Sequence, residues 1–173
     1  MHRNALAAVA LASAGLVAST ALLTVAGPLS PPAGPVASTY KTLTEVEPRT
    51  PISLATTPGD ADSLFKITQP GSYYLTGNIT GVAGRHGIEI AASGVTLDLN
   101  GFALRGVVGS FDAVTAGLHG LENIAVVNGT VKDWGGDGID LASNPATICR
   151  VERVLAKDNT GTGISAGIAS TTN

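Results

Sequence analysis

The feature of this sequence that most restricts its fold is a recurring Gly-Ile or Gly-Leu pair. The pairs begin at Gly87, Gly117, Gly138 and Gly163, so successive starts are 30, 21 and 25 residues apart. Each pair opens a unit with two or three short apolar stretches, and Val95–Leu99 alternates apolar and polar residues. Alternation places the apolar side chains on one face of a strand. No sustained period of 3.6 residues runs through the units, so crossover helices are not expected.

Short strands in units of this length, without helices, predict a solenoid. Each coil would add one strand to each of several parallel sheets, about 4.8 Å above the previous strand. We therefore expect an all-β fold, a parallel β-helix of about three coils that occupies residues 64–173. The side chains expected to face its interior are those of Val95, Leu97, Ile124, Val126 and Val131.

The C-terminus, Thr171-Thr172-Asn173, falls partway into a coil and has no recognisable cap. Solenoids need polar terminal caps because the last coil otherwise exposes its apolar interior. We therefore expect a solenoid that is truncated at its C-terminal end, or one that associates with another chain through the open coil.

Two Asn-Gly pairs, Asn100-Gly101 and Asn128-Gly129, each lie between apolar stretches. Asn tolerates the left-handed region and Gly permits a sharp change of direction, so both pairs are predicted structural turns. In a solenoid, the two Asn side chains could stack in a hydrogen-bonded ladder. The alternative is a pair of two-residue β-hairpins, which would make the sheet antiparallel. The recurring Gly-Ile starts favour the solenoid.

The N-terminal part of the chain has the pattern of an export leader. Arg3 precedes an uncharged, Ala-rich stretch that ends at Ala26, and a Pro-rich segment follows. We interpret residues 1–26 as a cleaved signal peptide and residues 27–63 as a Pro-rich linker. The alternative is an uncleaved membrane anchor, because the apolar stretch is long enough to cross a bilayer. The segment after Leu64, with the turn signal Gln69-Pro70-Gly71-Ser72, predicts a hairpin-like cap on the first coil.

The stretches Ile67–Leu75, Val95–Gly101 and Asn123–Val131 resemble those of secreted right-handed parallel β-helix repeat proteins. These proteins belong to the broad pectate-lyase-like superfamily. The resemblance covers residue 64 to the C-terminus and is specific for the fold. It implies a right-handed coil and a secreted, periplasmic or cell-surface location. For function it implies only a range that includes polysaccharide lyases, glycoside hydrolases and adhesins.

Composition excludes several classes of function. Charged residues make up 13% of the chain and the net charge is −3, so a broad basic surface for nucleic acid is not expected. The single cysteine, Cys149, cannot form an internal disulfide and leaves no thiolate cluster for zinc or iron–sulfur. We therefore predict no nucleic-acid partner and no cofactor. A membrane partner is expected only if the leader is retained.

The candidates for chemistry lie in one region. Asp137 and Asp140 follow Trp134, and Arg150 lies in the next unit. Paired carboxylates serve as acid and base or nucleophile in glycoside hydrolases. Lyases of the resembled superfamily use acidic residues to hold Ca²⁺ and a basic residue to abstract a proton. The hypothesis is a small carbohydrate site with Trp134 as a sugar platform. The competing interpretation, which we favour, is that these polar residues decorate solenoid turns.

Two metal hypotheses follow from the sequence, and neither has a complete ligand pattern. Gly135–Asp140 matches the core of a calcium-binding nonapeptide, but no second copy follows at nine-residue spacing. His86 and His119 lack a third ligand at metal spacing and are interpreted as turn residues. We predict no metal site, with Ca²⁺ as the only alternative.

Three functions remain open from the sequence. The favoured one is an exported structural or ligand-presenting β-helix without catalysis. The second is a carbohydrate-active enzyme, either a polysaccharide lyase or a glycoside hydrolase, or a fragment of one. The third is a surface module that binds extracellular polysaccharide or mediates adhesion. About three coils would rise only about 15 Å, which is a short platform for a polymer-binding groove.

Overall fold

The computed structural model describes residues 47–166, which form strands, turns and loops without a helix. The predicted leader, residues 1–26, and the predicted linker as far as residue 46 lie outside the described residues. Within the described part, no helix is long and apolar enough to span a membrane.

Twelve strands make up the described fold. In chain order they are β1 (Thr50–Pro51), β2 (Ser63–Ile67), β3 (Gly71–Tyr74), β4 (Ile79–Thr80), β5 (His86–Ile90), β6 (Val95–Asp98), β7 (Ala103–Arg105), β8 (Val114–Ala116), β9 (Glu122–Lys132), β10 (Ile139–Asp140), β11 (Thr147–Lys157) and β12 (Ile164–Ser165).

The strands stack on three faces of a parallel β-solenoid. The first face carries β1, β3, β6 and the first halves of β9 and β11. The second face carries β4, β7 and the second halves of β9 and β11. The third face is a five-stranded sheet in the order β12-β10-β8-β5-β2. Every pair of these named strands is parallel, which confirms the predicted all-β parallel solenoid. The alternative of antiparallel hairpins at the Asn-Gly pairs is therefore wrong.

The long strands β9 and β11 pass from the first face to the second at Asn128 and Arg153, which have left-handed φ of 61° and 52°. Asn123 and Ile148, which precede the first face on the same strands, have left-handed φ of 57° and 55°. Strands β9 and β11 pair in continuous parallel register from Thr147↔Glu122 to Lys157↔Lys132. The left-handed residues therefore lie directly above one another, and the coil changes direction at the same place on each level.

The segment predicted as a hairpin-like cap is a full coil, so the hairpin prediction is wrong. Strand β2 pairs with β5 and strand β3 pairs with β6, while β2 and β3 do not pair with each other. This coil and the strand that starts at Ile164 bring the third face to five stacked strands. The solenoid therefore has about five levels rather than the predicted three. The prediction was too low because it took the first coil for a cap and did not count the coil that begins at Ile164.

One predicted unit start is also misplaced. Ile88 pairs with Val114, and Val114 pairs with Ile139, so the start of the third level is Ala113-Val114 rather than Gly117-Leu118. The residues that directly precede Ile88, Val114, Ile139 and Ile164 form a column of their own, which consists of Gly87, Ala113, Gly138 and Gly163. A Cβ on Gly138 would lie only 2.3 Å from the carbonyl oxygen of Gly163. The lack of space explains the glycine at Gly138, whereas the equivalent position on the third level holds a Cβ, that of the fully buried Ala113.

The end of the predicted linker contributes to the first coil. Thr50 and Pro51 form β1 and pair with Tyr73 and Tyr74 of β3. Ile52 is buried, and Pro58 forms an isolated antiparallel bridge with Phe65. These contacts cover the outer side of the first coil.

The core runs along the axis between the three faces. The five side chains predicted to face inward, those of Val95, Leu97, Ile124, Val126 and Val131, are all buried, at most 1% exposed. This confirms the predicted core positions.

Candidate functional site

The predicted catalytic residue Asp137 belongs to a column of side chains on successive levels. His86 Nδ1 accepts a hydrogen bond from the backbone N–H of Asp112, at 3.2 Å. Asp112 Oδ1 accepts one from the N–H of Asp137, and Asp137 Oδ1 accepts one from the N–H of Thr162, both at 2.6 Å. Each side chain thus satisfies a backbone donor on the level above. The Asp137 carboxylate connects two coils, which is a structural role.

Asp140, the second predicted catalytic residue, is only 6% exposed and caps its own turn. Its Oδ1 accepts hydrogen bonds of 3.0 Å from the backbone N–H groups of Ala142 and Ser143. Burial by itself raises the pKa of Asp140, but the hydrogen bonds from Ser143 and Ala142 outweigh it and hold the pKa below its ordinary value. Asp140 is therefore ionised near neutral pH and is poorly suited to act as a general acid.

Trp134, the predicted sugar platform, lies in the core and is 1% exposed, so no ring face is open to a ligand. Its Nε1 donates a hydrogen bond of 3.1 Å to the carbonyl oxygen of Leu104. A Cβ on Gly81 or Gly87 would lie 2.9 or 2.8 Å from the Trp134 ring, so two glycines of earlier levels make room for it.

Arg150, the predicted base, does not join the aspartates. It lies on β11 on the first face, whereas Asp140 lies on β10 on the third face. The Arg150 side chain is 58% exposed, and its NH1 lies 3.3 Å from Glu152 Oε1. Arg150 and Asp140 therefore lie on different faces of the solenoid.

The two predicted Asn-Gly turns lie at corners between the first and second faces. Asn100 has φ of 52° and Gly101 of 80°. The predicted Asn ladder is replaced by other bonds: Asn100 Nδ2 donates to the carbonyl oxygen of Leu75, and Asn128 Nδ2 donates to Asp98 Oδ1. Asn128 Oδ1 in turn accepts a hydrogen bond of 2.6 Å from Arg153 Nε.

Gly129 is required for a different reason from Gly101. A Cβ at Gly129 would lie 2.3 Å from the Cβ of Leu99, whereas nothing approaches a Cβ at Gly101 within 4 Å. Gly129 therefore allows close packing between two levels, while Gly101 serves the left-handed backbone.

A polar cluster at the first two levels of the third face was not predicted. Lys66 Nζ lies 2.7 Å from Asp60 Oδ2 and 2.8 Å from Glu89 Oε1. Ser63 Oγ donates to Asp60 Oδ1 at 2.7 Å and lies 3.1 Å from Glu89 Oε2. The hydrogen bonds from Lys66 and Ser63 lower the pKa of Asp60, and the neighbouring Asp60 raises the pKa of Asp62.

Ligand atoms of Asp60, Asp62 and Glu89 lie within 4.8 Å of one another, a spacing that could hold a cation. The ammonium group of Lys66 already supplies positive charge to two of these three carboxylates. One sequence signal could have located the cluster, because Lys66 and Glu89 occupy the same position on adjacent coils. The assignment of Asp60 and Asp62 to the linker hid it.

A cleft of about 350 Å³ lies beside β1 and was also missed. Its lining residues are Glu47, Pro48, Arg49, Thr50, Pro51, Thr56 and Tyr74.

Arg49 organises this cleft. Its guanidinium carbon lies 4.7 Å from the centre of the Tyr74 ring, and its NH1 lies 3.0 Å from Asp98 Oδ2. Its Nε donates to Glu47 Oε1 at 2.7 Å, and this hydrogen bond lowers the pKa of Glu47 to about 2. The arrangement fixes an aromatic ring beside two carboxylates and one cation. Sequence reasoning had no signal for it, since β1 falls in the predicted linker.

Comparison with known proteins identifies no relative: no family model, no curated protein and no solved structure matches this chain. Function is therefore inferred from the geometry.

Proposed function

We propose that this chain is an exported, right-handed β-helix protein of the pectate-lyase-like kind that presents its surface to ligands without catalysing a reaction. Export rests on the leader pattern of residues 1–26, and the superfamily rests on the stretches that resemble it. The observation that carries the absence of catalysis is the use of the candidate carboxylates. Asp137 and Asp140 both accept hydrogen bonds from the chain's own backbone.

Polysaccharide hydrolysis needs two carboxyl groups that face one bond from about 5 to 9.5 Å apart. Elimination by a lyase needs a basic group beside the carboxylates, and Arg150 lies on a different face from Asp140. Trp134 is in the core and cannot stack on a sugar. The residues that would form an active site are therefore distributed through the fold as structural parts.

The test is incubation of the full chain with a panel of acidic and neutral polysaccharides, with detection of reducing ends and unsaturated products. We expect no turnover with or without added Ca²⁺. Asp137→Asn is the informative variant, because it should lower the unfolding midpoint while turnover stays at the background. Turnover that Asp137→Asn or a chelator abolishes would establish a lyase or hydrolase instead.

A second candidate function, polysaccharide binding, is favoured by the cleft around Arg49. Sugar sites combine an aromatic ring with polar groups that fix the orientation of the ligand. Tyr74 supplies the ring, and the cleft also has the carboxylate of Glu47 and the hydroxyl groups of Thr50 and Thr56 as polar groups.

Affinity electrophoresis in polysaccharide gels tests this second function. Tyr74→Ala should weaken retention about tenfold, in line with the loss of a stacking contact. Phe111→Ala is the matched control, since Phe111 is 44% exposed and packs on His86 away from the cleft. Equal retention of both variants would exclude the cleft as the binding site.

A further inference from the structure

Two tight turns on adjacent levels lie at the corner between the second and third faces. The first, Val82–Arg85, connects β4 to β5, and the second, Val107–Ser110, connects β7 to β8. In each turn the last backbone N–H donates to the first carbonyl oxygen, at 3.2 and 3.0 Å. The third residues, Gly84 and Gly109, have left-handed φ of 75° and 80°. The N–H of Gly84 donates to the carbonyl oxygen of Gly109 at 2.7 Å, so the two turns are stacked.

The side chains of these turns are apolar although they face solvent. Val108 is 98% exposed, Val82 is 46% exposed, and Phe111, which follows the second turn, is 44% exposed. Surface turns ordinarily carry Gly, Pro, Asn, Asp or Ser. A valine that stays in water gains no burial on folding, so the stability of the fold does not account for these side chains. We call Val82, Val108 and Phe111 the apolar corner.

The backbone that carries the apolar corner is bonded to the levels on both sides. The centre of the Phe111 ring lies 5.1 Å from that of the His86 ring, on the level below. Ser110 Oγ accepts a hydrogen bond of 3.2 Å from the N–H of Gly135, on the level above. The apolar side chains are therefore held outward by an ordered part of the solenoid.

Basic side chains flank the apolar corner. Arg85 ends the first turn, and within residues 47–166 its guanidinium group has no ion-pair partner. Arg105, at the end of β7, is in register with Lys132 of β9. Asp133 Oδ2 lies 3.9 Å from both cations, beyond hydrogen-bond distance. A second carboxylate, that of Asp112, is only 17% exposed and accepts a backbone N–H of the level above. These groups leave the corner positive, whereas the chain has a net charge of −3.

We propose that the apolar corner attaches this protein peripherally to the surface of a lipid bilayer that contains anionic lipids. The apolar corner enters the boundary between headgroups and acyl chains, and Arg85, Arg105 and Lys132 contact the lipid phosphates. Arg105 and Lys132 are stacked along the solenoid, so the solenoid axis lies parallel to the bilayer surface.

The combination of apolar and basic groups favours a bilayer over other partners. A soluble polyanion would use the cations but would leave the apolar side chains in water. A small apolar ligand needs a concave pocket, whereas Val108 protrudes with nearly all of its surface exposed. Three side chains cover far less than the about 1,000 Å² that a specific protein interface needs. A bilayer places an apolar layer beneath negative headgroups and therefore accommodates both kinds of group.

Co-sedimentation of the full chain with lipid vesicles tests the proposal. We expect binding to vesicles of phosphatidylcholine and phosphatidylglycerol, and weaker binding to phosphatidylcholine alone. Val108→Asp should lower the partition coefficient about tenfold or more, because it removes an apolar side chain and adds a charge of the same sign as the lipid. Leu118→Asp is the matched control, since Leu118 is 52% exposed on the loop between β8 and β9, and it should bind as the unchanged chain does.

The basic groups have a separate readout. Arg85→Gln and Arg105→Gln should weaken binding to the vesicles with phosphatidylglycerol and leave binding to phosphatidylcholine alone unchanged. All these variants retain residues 1–26, so any contribution of the predicted leader to vesicle binding is the same in each.

Fluorescence quenching locates the inserted residues. Val108→Trp should be quenched by lipids that are brominated on their acyl chains, whereas Leu118→Trp should not. Trp134 is 1% exposed and gives the same background in both proteins. Absence of binding to anionic vesicles, or equal binding by Val108→Asp and Leu118→Asp, would overturn the proposal. A change in the sedimentation coefficient of Val108→Asp without lipid would overturn it as well, because the apolar corner would then contact a second copy of the chain.

Discussion

Strands β9 and β11 occupy the same position on adjacent levels, and they differ in how many neighbours they have. Both are eleven residues long and both bend at two left-handed residues. Strand β9 pairs with a strand of the level below and with a strand of the level above. Among the described residues, β11 pairs only with β9, on the level below. Val126 is fully buried and Val151, its partner in the ladder, is half-buried.

The comparison shows that burial in this fold comes from stacking rather than from the individual strand. The two strands share an alternation of apolar residues, but only the inner strand has its apolar side chains enclosed. In a solenoid, stability is close to a sum of terms within each level and between neighbouring levels. Substitutions at equivalent positions should therefore have a larger effect on the inner level.

The largest difference is expected between Trp134 and Asn159, which follow β9 and β11 at equivalent positions. Trp134→Ala removes a fully buried ring and should lower the free energy of unfolding by about 3–5 kcal/mol. Asn159→Ala removes side-chain hydrogen bonds to the backbone of Trp134 and Val131 and should cost about 1 kcal/mol. Urea unfolding followed by circular dichroism measures both.

If Trp134→Ala fails to fold, Trp134→Phe provides the measurement. It keeps a smaller aromatic ring and loses the hydrogen bond to Leu104, so its cost should fall between the other two values. Equal costs for the Trp134 and Asn159 substitutions would contradict the view that the inner level carries more of the stability.

The second difference is expected between Val126→Ala and Val151→Ala, which remove the same atoms from adjacent levels. The inner substitution should cost about 2 kcal/mol, and the outer one about half as much because its site is already partly hydrated. Urea unfolding followed by circular dichroism measures both costs. Equal costs would remove the distinction between the two strands.

Sequence reasoning predicted the stacked coils and their inward residues because both depend on local alternation. Val95 and Leu97 are recognisable as core from their immediate neighbours. The burial of Trp134 could not be predicted in this way. It depends on Gly81 and Gly87, which lie on earlier levels and leave the space that the ring fills.

The structural roles of the candidate site residues could not be predicted for a related reason. Asp137 and Asp140 have the composition of an active site, but Asp137 accepts a backbone N–H from the next level and Asp140 accepts backbone N–H groups of its own turn. Carboxylates at turns perform this structural task as readily as they perform catalysis. The cleft around Arg49 was missed because its strand, β1, is two residues long and has no alternation to recognise.

The smallest expected difference lies at the first corners of β9 and β11, where Asn123 and Ile148 are equivalent. Both have left-handed φ, 57° and 55°, which asparagine tolerates and a β-branched residue does not. Ile148 is 64% exposed, so its replacement loses little packing. Ile148→Asn should therefore stabilise the fold by about 1 kcal/mol, and Asn123→Ile should destabilise it by a similar amount. Leu155→Asn is the control, because Leu155 is also exposed on β11 but is not among the left-handed residues, and it should change stability by less than about 0.5 kcal/mol. All three are compared by urea unfolding of the monomer, and an equal gain from Ile148→Asn and Leu155→Asn would mean that the corner of the last level is not strained.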